Sequence, residues 1–217
     1  MERAEHIAIL HTTPATIGSL REISARLLPG VRVYNYLDES LLPQINAEGE
    51  ITEAVRERFS ALVALAASAG PRLILSACST VGGLMESLRP AYAPLPLLRI
   101  DEPMAEQAAA CPGRVVVCAT LASTLGPTMA LLRRKLPEGR EADSLLIDEA
   151  GPLLAAGKQE EYLDAIASRL TEAARSHDLV VLAQASMAQA LERLPEKERA
   201  RFLTSPESGV AALKQYL

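Results

Sequence analysis

The sequence contains no tryptophan, two phenylalanines and five tyrosines among 217 residues. Its core must therefore come from Leu, Ala, Val and Ile packed in quantity, not from a few large rings. Cysteine is scarce as well. Cys78, Cys111 and Cys118 are an odd set without paired spacing, which argues against a disulfide framework and for a cytoplasmic chain. His6, His11 and His177 keep no metal-ligand spacing with the cysteines, so no metal site is expected. A basic excess is absent too. The formal net charge is −5, and no cationic face is available to neutralise phosphates, so no nucleic-acid partner is expected. No apolar run reaches the roughly 18–20 residues needed to cross a bilayer. The opening "MERAEH" carries acids where a signal peptide carries bases, so neither membrane nor export is expected.

What is present is strand–helix alternation. The chain is 49% hydrophobic. Its short apolar runs "HIAIL", "VRVYNY", "PRLILSA", "LPLLRI", "RVVVCA", "DSLLID" and "DLVVLAQ" read as buried strands. Between them, "ATIGSLREISARLL", "ITEAVRERFSALVALAASA", "TLGPTMALLRRKL" and "QEEYLDAIASRLTEAARS" carry apolar residues three and four apart, as helices do. Such alternation predicts an α/β fold with parallel sheets covered on both faces.

The pattern is written twice. Aligning Ile9 with Val117 places Thr12 on Thr120, Thr16 on Thr124 and Gly18 on Gly126. At an offset one residue shorter, "LILSACST" falls on "VVLAQASM", with Ser79 on Ser186 and Cys78 on Ala185. Two similar Rossmann-like lobes, related by a pseudo-twofold with a site in the cleft between them, are the expectation. The proline-rich "PAYAPLPLL" and the charged "RIDEPM" mark the crossover. This gives a first lobe of residues 1–97 plus 206–217 and a second of 98–205. The final helix is expected to return to the first lobe.

In parallel α/β sheets, ligands bind beyond the carboxyl ends of the strands. Four loops qualify: "HTTPAT", "CSTVGG", "ATLAST" and "QASM". Each is rich in hydroxyls or glycine and is expected to open a helix, where free backbone N–H groups suit a carboxylate. Thr13 before Pro14 reads as a helix cap. Cys78 sits at a strand end and a helix start, a setting that favours the thiolate as nucleophile or base. As a plain alternative, a free cysteine is simply a small hydrophobe, and Cys118 within "RVVVCA" fits that description. His11 ends the first strand and is a candidate partner for Cys78. Asp148 and Glu149 end another strand and are either site residues or solvated acids.

The paired lobes, "SACST" after a strand, its echo "LAQASM" and the trailing "LTSPESGVAAL" resemble the aspartate/glutamate (hydantoin) racemase superfamily over nearly the whole chain. The resemblance implies cofactor-independent chemistry at the α-carbon of a small carboxylate. It also implies no pyridoxal or metal, and is compatible with a homodimer. In the family's racemases two cysteines flank the α-carbon, one removing the proton and the other returning one on the opposite face. Cys78 matches the first cysteine, while Ala185 occupies the place of the second, beside Ser186. Thr12, Ser79, Thr80, Thr120, Ser123 and Thr124 match the loops that hold carboxylate. The expectation is a racemase, isomerase or decarboxylase with Cys78 as its single thiol and Ser186 as a catalytic candidate. The alternative is a catalytically retired carboxylate-binding or regulatory homologue. A Cys78–His11 hydrolase or transferase is a third reading.

Overall fold

The computed structural model describes residues 6–217. The chain divides into two compact units, one running to Ile100 and resuming with Pro206–Leu217, the other Asp101–Ser205. The boundary lies after Ile100 instead of at residue 97 because the strand Leu97–Arg99 pairs with its neighbour in the first sheet.

In the first unit β1 (His6–His11) leads through a 3-10 turn (Pro14–Thr16) to α1 (Ile17–Leu27) and β2 (Arg32–Leu37). Then follow α2 (Leu41–Glu48), α3 (Glu53–Ser68), β3 (Ile74–Ser76), α4 (Gly82–Tyr92) and β4 (Leu97–Arg99). The sheet is fully parallel in the order β2-β1-β3-β4. Alternation along β1 sends Ala8 and Leu10 to one face and Ile7 and Ile9 to the other. The first face packs against Val55, Phe59, Val63 and Ala66, which recur three and four apart along α3. The second face packs against Leu20 of α1 and against Val210 and Leu213 from the end of the chain.

The second unit repeats the plan. It holds α5 (Glu102–Ala110), β5 (Val115–Ala119), α6 (Ala122–Lys135), β6 (Asp143–Leu146), α7 (Ala150–Ala155), α8 (Gln159–Ser176), β7 (Leu179–Leu182) and β8 (Phe202–Thr204). Its sheet order, β6-β5-β7-β8, matches that of the first unit strand for strand. Val116 and Cys118 face Tyr162, Ile166 and Leu170 of α8, while Val115 and Val117 face Met104 of α5 and Met129 and Leu132 of α6. Cys118 is fully buried, and desolvation pushes its thiol up to about 12, so it is an inert core residue.

The last helix, α9 (Ser205–Ala211), carries the chain back into the first unit. Gly209 makes that docking close: a Cβ there would lie 2.5 Å from the carbonyl oxygen of Ile100. The "RID" segment at the crossover is packed: Arg99 and Asp101 are buried, and Arg99 pairs with Glu86 at 2.9 Å. "QASM" opens a 3-10 segment, Ala185–Arg193, in place of an α-helix.

Candidate active site

In each sheet the chain moves outward from the first strand to one side, then crosses to the other. The switch therefore falls between β1 and β3, and between β5 and β7. Ligands of such sheets sit at the carboxyl ends flanking that switch. In the first unit those ends carry His11–Thr12 and Ala77–Cys78. In the second they carry Ala119–Thr120 and Ala183–Gln184.

Sheet register fixes which residues are counterparts. Leu10 pairs with Ser76, and the next residue, Ala77, donates its N–H to the Leu10 carbonyl at 2.9 Å. Cys118 pairs with Leu182, and Ala183 donates to the Cys118 carbonyl at 2.9 Å. Thr12 and Thr120 are therefore equivalent, as the sequence alignment has them. Cys78, however, is the counterpart of Gln184, not of Ala185. Ala185 corresponds to Ser79, and Ser186 to Thr80. The repeated serines had pulled the sequence alignment one residue out of register; backbone pairing, not residue identity, sets the correct one.

Cys78 is half-buried, on the loop between β3 and α4, and leans on the core cluster of α3 and α4. Ser76 donates its hydroxyl to the Cys78 carbonyl at 3.4 Å. Ser79 and Thr80 are buried in the same loop, and Gly82 N–H closes the turn on the Ser79 carbonyl at 3.1 Å. Beneath the first turn of α4 lies Arg99, its side chain 2% exposed. A Cβ on Gly82 would come within 2.3 Å of the guanidinium carbon, so a larger residue there would force the Arg99 side chain to shift.

Across the switch, Thr13 caps the 3-10 turn by accepting from Ala15 N–H at 3.4 Å, with Pro14 as the first turn residue. Thr12 is 3% exposed, and its hydroxyl finds no hydrogen-bond partner among the described residues. It lines an open recess of ≈ 370 Å³ with Thr13, Pro14, Glu39, Leu42, Pro43 and Asn46.

His11 does not pair with Cys78. Its Nε2–H donates to Asn35 Oδ1 at 2.9 Å, and its Nδ1 accepts from the Thr16 hydroxyl at 2.9 Å. Both ring nitrogens are occupied. Burial lowers the imidazole pKa, with the Asn35 bond opposing, so the ring is held neutral in this network. Sequence reasoning missed Asn35. The one available signal was an amide side chain between two tyrosines of the strand.

In the second unit, Thr120 donates both its backbone N–H, at 2.6 Å, and its hydroxyl, at 3.0 Å, to Gln184 Oε1. Thr124 is buried and Ser123 half-buried in the first turn of α6, and Ser186 lies 3.5 Å from the Tyr162 hydroxyl. Asp148 and Glu149 are exposed, and Glu149 reaches Arg169 at 3.5 Å. Among the described residues, no three of His, Cys, Asp or Glu converge as metal ligands would. No helix among them is long and apolar enough to cross a membrane.

The family model described as Asp/Glu/Hydantoin racemase matches residues 7–213. The chain belongs to that family. Solved structures agree on the fold. Glutamate racemase from Bacillus anthracis superposes with a TM-score of 0.76 at 16% identity, covering 99% of this chain and 82% of its own. Glutamate racemase from Francisella tularensis, solved with D-glutamate, gives a TM-score of 0.75 at 11% identity, covering 98% and 80%. Aspartate racemase from Picrophilus torridus gives 0.72 at 15% identity, covering 98% and 94%. No curated protein matches the sequence. Within the racemase family, this chain has a thiol at the first unit's switch-point loop and a carboxamide at the corresponding place in the second.

Proposed function

We propose that the protein is a cofactor-independent enzyme acting at the α-carbon of a small carboxylate, with Cys78 as the group that moves the proton. The observation that carries this reading is the neighbourhood of Cys78. Its loop ends β3 beside β1, whose own loop buries a Thr12 hydroxyl with no partner among the described residues, a ready donor to a carboxylate oxygen. Membership of the racemase family supports chemistry of this class.

In the proposed step the Cys78 thiolate removes the α-proton and becomes a thiol. The electron pair left on carbon delocalises into the carboxylate, where the loop donors stabilise the developing charge. Return of that proton to the same face regenerates substrate, and exchange of the thiol proton with water introduces a solvent proton. Inversion needs a donor on the other face, and Gln184 is no such donor, since a carboxamide is neither acid nor base near neutral pH. A one-thiol enzyme of this kind is suited to one-sided protonation, as when loss of carbon dioxide leaves an α-carbanion that takes the Cys78 proton. Cytoplasmic operation fits the free thiols.

The second reading, a carboxylate-binding homologue without turnover, is favoured by Gln184 alone. The experiment that separates the two is incubation in D2O with aspartate, glutamate, 2-hydroxy acids, hydantoins and substituted malonates, followed by proton NMR. The enzyme reading predicts deuterium at the α-carbon, or decarboxylation, for at least one compound with the wild type and none with Cys78→Ala. Equal behaviour of the two proteins across the panel would refute it.

A further inference from the structure

We infer that Gln184 is a specificity-determining residue that fills, with its own side-chain oxygen, the carboxylate seat of the second unit. The inference rests on the reading that the strand-end loops hold carboxylate, and it goes beyond it by assigning the two units opposite states. Thr12 and Thr120 are the same residue type at the same register position, immediately after the first strand of each sheet. In the first unit that threonine's hydroxyl is buried and without a partner among the described residues. In the second, hydroxyl and backbone N–H converge on a single oxygen, Gln184 Oε1, at 3.0 and 2.6 Å. Two donors from one residue meeting one oxygen is how a strand-end loop grips a carboxylate oxygen. Because an N–H can only donate, the atom it faces is the amide oxygen and not the amide nitrogen.

The oxygen arrives from the position that carries the thiol in the first unit. One substitution thus has two consequences. It removes any acid or base from that place, and it supplies an internal acceptor to a site that otherwise attracts an anion. Cys78, in the same place in the first unit, is a weak acceptor at most, and Thr12 there has no partner among the described residues. An external carboxylate competing for Thr120 must displace a tethered oxygen that is already positioned, whereas at Thr12 it meets a buried donor with no competing acceptor.

The test is a titration of the whole chain with malonate, read residue by residue from amide 1H–15N shifts. In wild type, malonate moves the amides of the first unit's Thr12 and Ser79 and leaves Thr120 unmoved. Gln184→Met keeps the side-chain length but removes the acceptor. Before ligand is added, the Thr120 amide proton moves upfield, and malonate then shifts it with an affinity roughly tenfold or more above wild type. Gln184→Glu restores an acceptor and returns Thr120 to insensitivity, which separates loss of the oxygen from loss of the fold. The inference is overturned if Thr120 responds to malonate in wild type as the first unit does. It also fails, with the carboxylate reading intact, if first-unit amides respond while Thr120 stays silent in Gln184→Met. Silence of both units in every protein would overturn the carboxylate reading and this inference with it.

Discussion

The two units share a strand order, a register and even the threonine that follows the first strand, yet their switch points are chemically different. In the first, a half-buried thiol and a buried hydroxyl without a partner among the described residues end neighbouring strands. In the second, the thiol's counterpart is an amide that has bonded to the hydroxyl's counterpart. The same strand order and register thus present two different side-chain pairings at equivalent positions. The difference lies in the pairing of buried donors, not in the strand order or register.

The largest expected effect breaks the symmetry outright. On the substrate identified by the D2O panel, Cys78→Ala lowers turnover by about 10²–10⁴-fold, the usual contribution of a positioned proton-transfer group. Cys118→Ala, at the core of the second sheet, costs stability and leaves turnover of the folded protein within a few-fold. Steady-state rates of both variants check this. A smaller pair addresses packing. Phe59→Ala opens the first unit's core between α3 and β1 and costs about 3–5 kcal/mol in urea unfolding. Tyr162→Phe in the second unit keeps the ring, loses a long contact to Ser186, and costs less than about 1 kcal/mol.

The sharpest probe of the comparison itself is a matched pair at the threonines. Thr120→Val removes one of two bonds to Gln184 and destabilises by about 1 kcal/mol. Thr12→Val removes a buried hydroxyl that has no partner among the described residues, so stability stays level or rises by up to about 1 kcal/mol. Equal destabilisation of both, by thermal or urea unfolding, would show that the two loops are not in different states.

The most gradual effect is with pH. His11 has its pKa lowered by burial, so the unfolded chain takes up a proton at the usual value of 6.5 before the folded chain does. The stability from keeping the ring neutral is fully present above about 6.5 and is lost as pH falls below it. In the second unit, Asp143 is held below its usual 3.8 by hydrogen bonds from His177 first and then Arg114. Its contribution persists above that value and fades only as pH falls through the lowered one. Hydrogen exchange between pH 7 and 5 should therefore loosen amides around His11, Thr16 and Asn35. Replacing Asn35 with Ala removes the bond that opposes the shift and pushes the His11 pKa lower.

Much of the fold was legible because it rests on local signals. Strand–helix alternation, the threonine cap before Pro14 and the repeat joining Thr12 to Thr120 all survive in the structure. Three-residue β8 was not legible, since Phe202–Thr204 is too short to show a period. In the candidate site, the strand-end positions of Cys78 and Thr12 were legible. The Cys78–Gln184 equivalence could not, because the serines in "ACST" and "QASM" favoured an alignment one residue away. The register that corrects it is set by backbone bonds from Ala77 and Ala183, which leave no mark on residue identity. The His11–Asn35 bond and the Arg99–Glu86 pair were hidden for the same reason: each joins residues distant in the chain.

The central claim is that Cys78 looks onto a carboxylate seat in the first unit. Its most direct test is iodoacetamide labelling mapped by mass spectrometry, with and without malonate. Cys78 and Cys111 are both half-buried, and Cys118 is fully buried. The account predicts labelling of Cys78 and Cys111 but not Cys118 in the folded protein, with malonate slowing Cys78 alone and Thr12→Val abolishing that protection. Cys78 labelling at the same rate with and without malonate, at concentrations up to saturation of any amide shift, would contradict it.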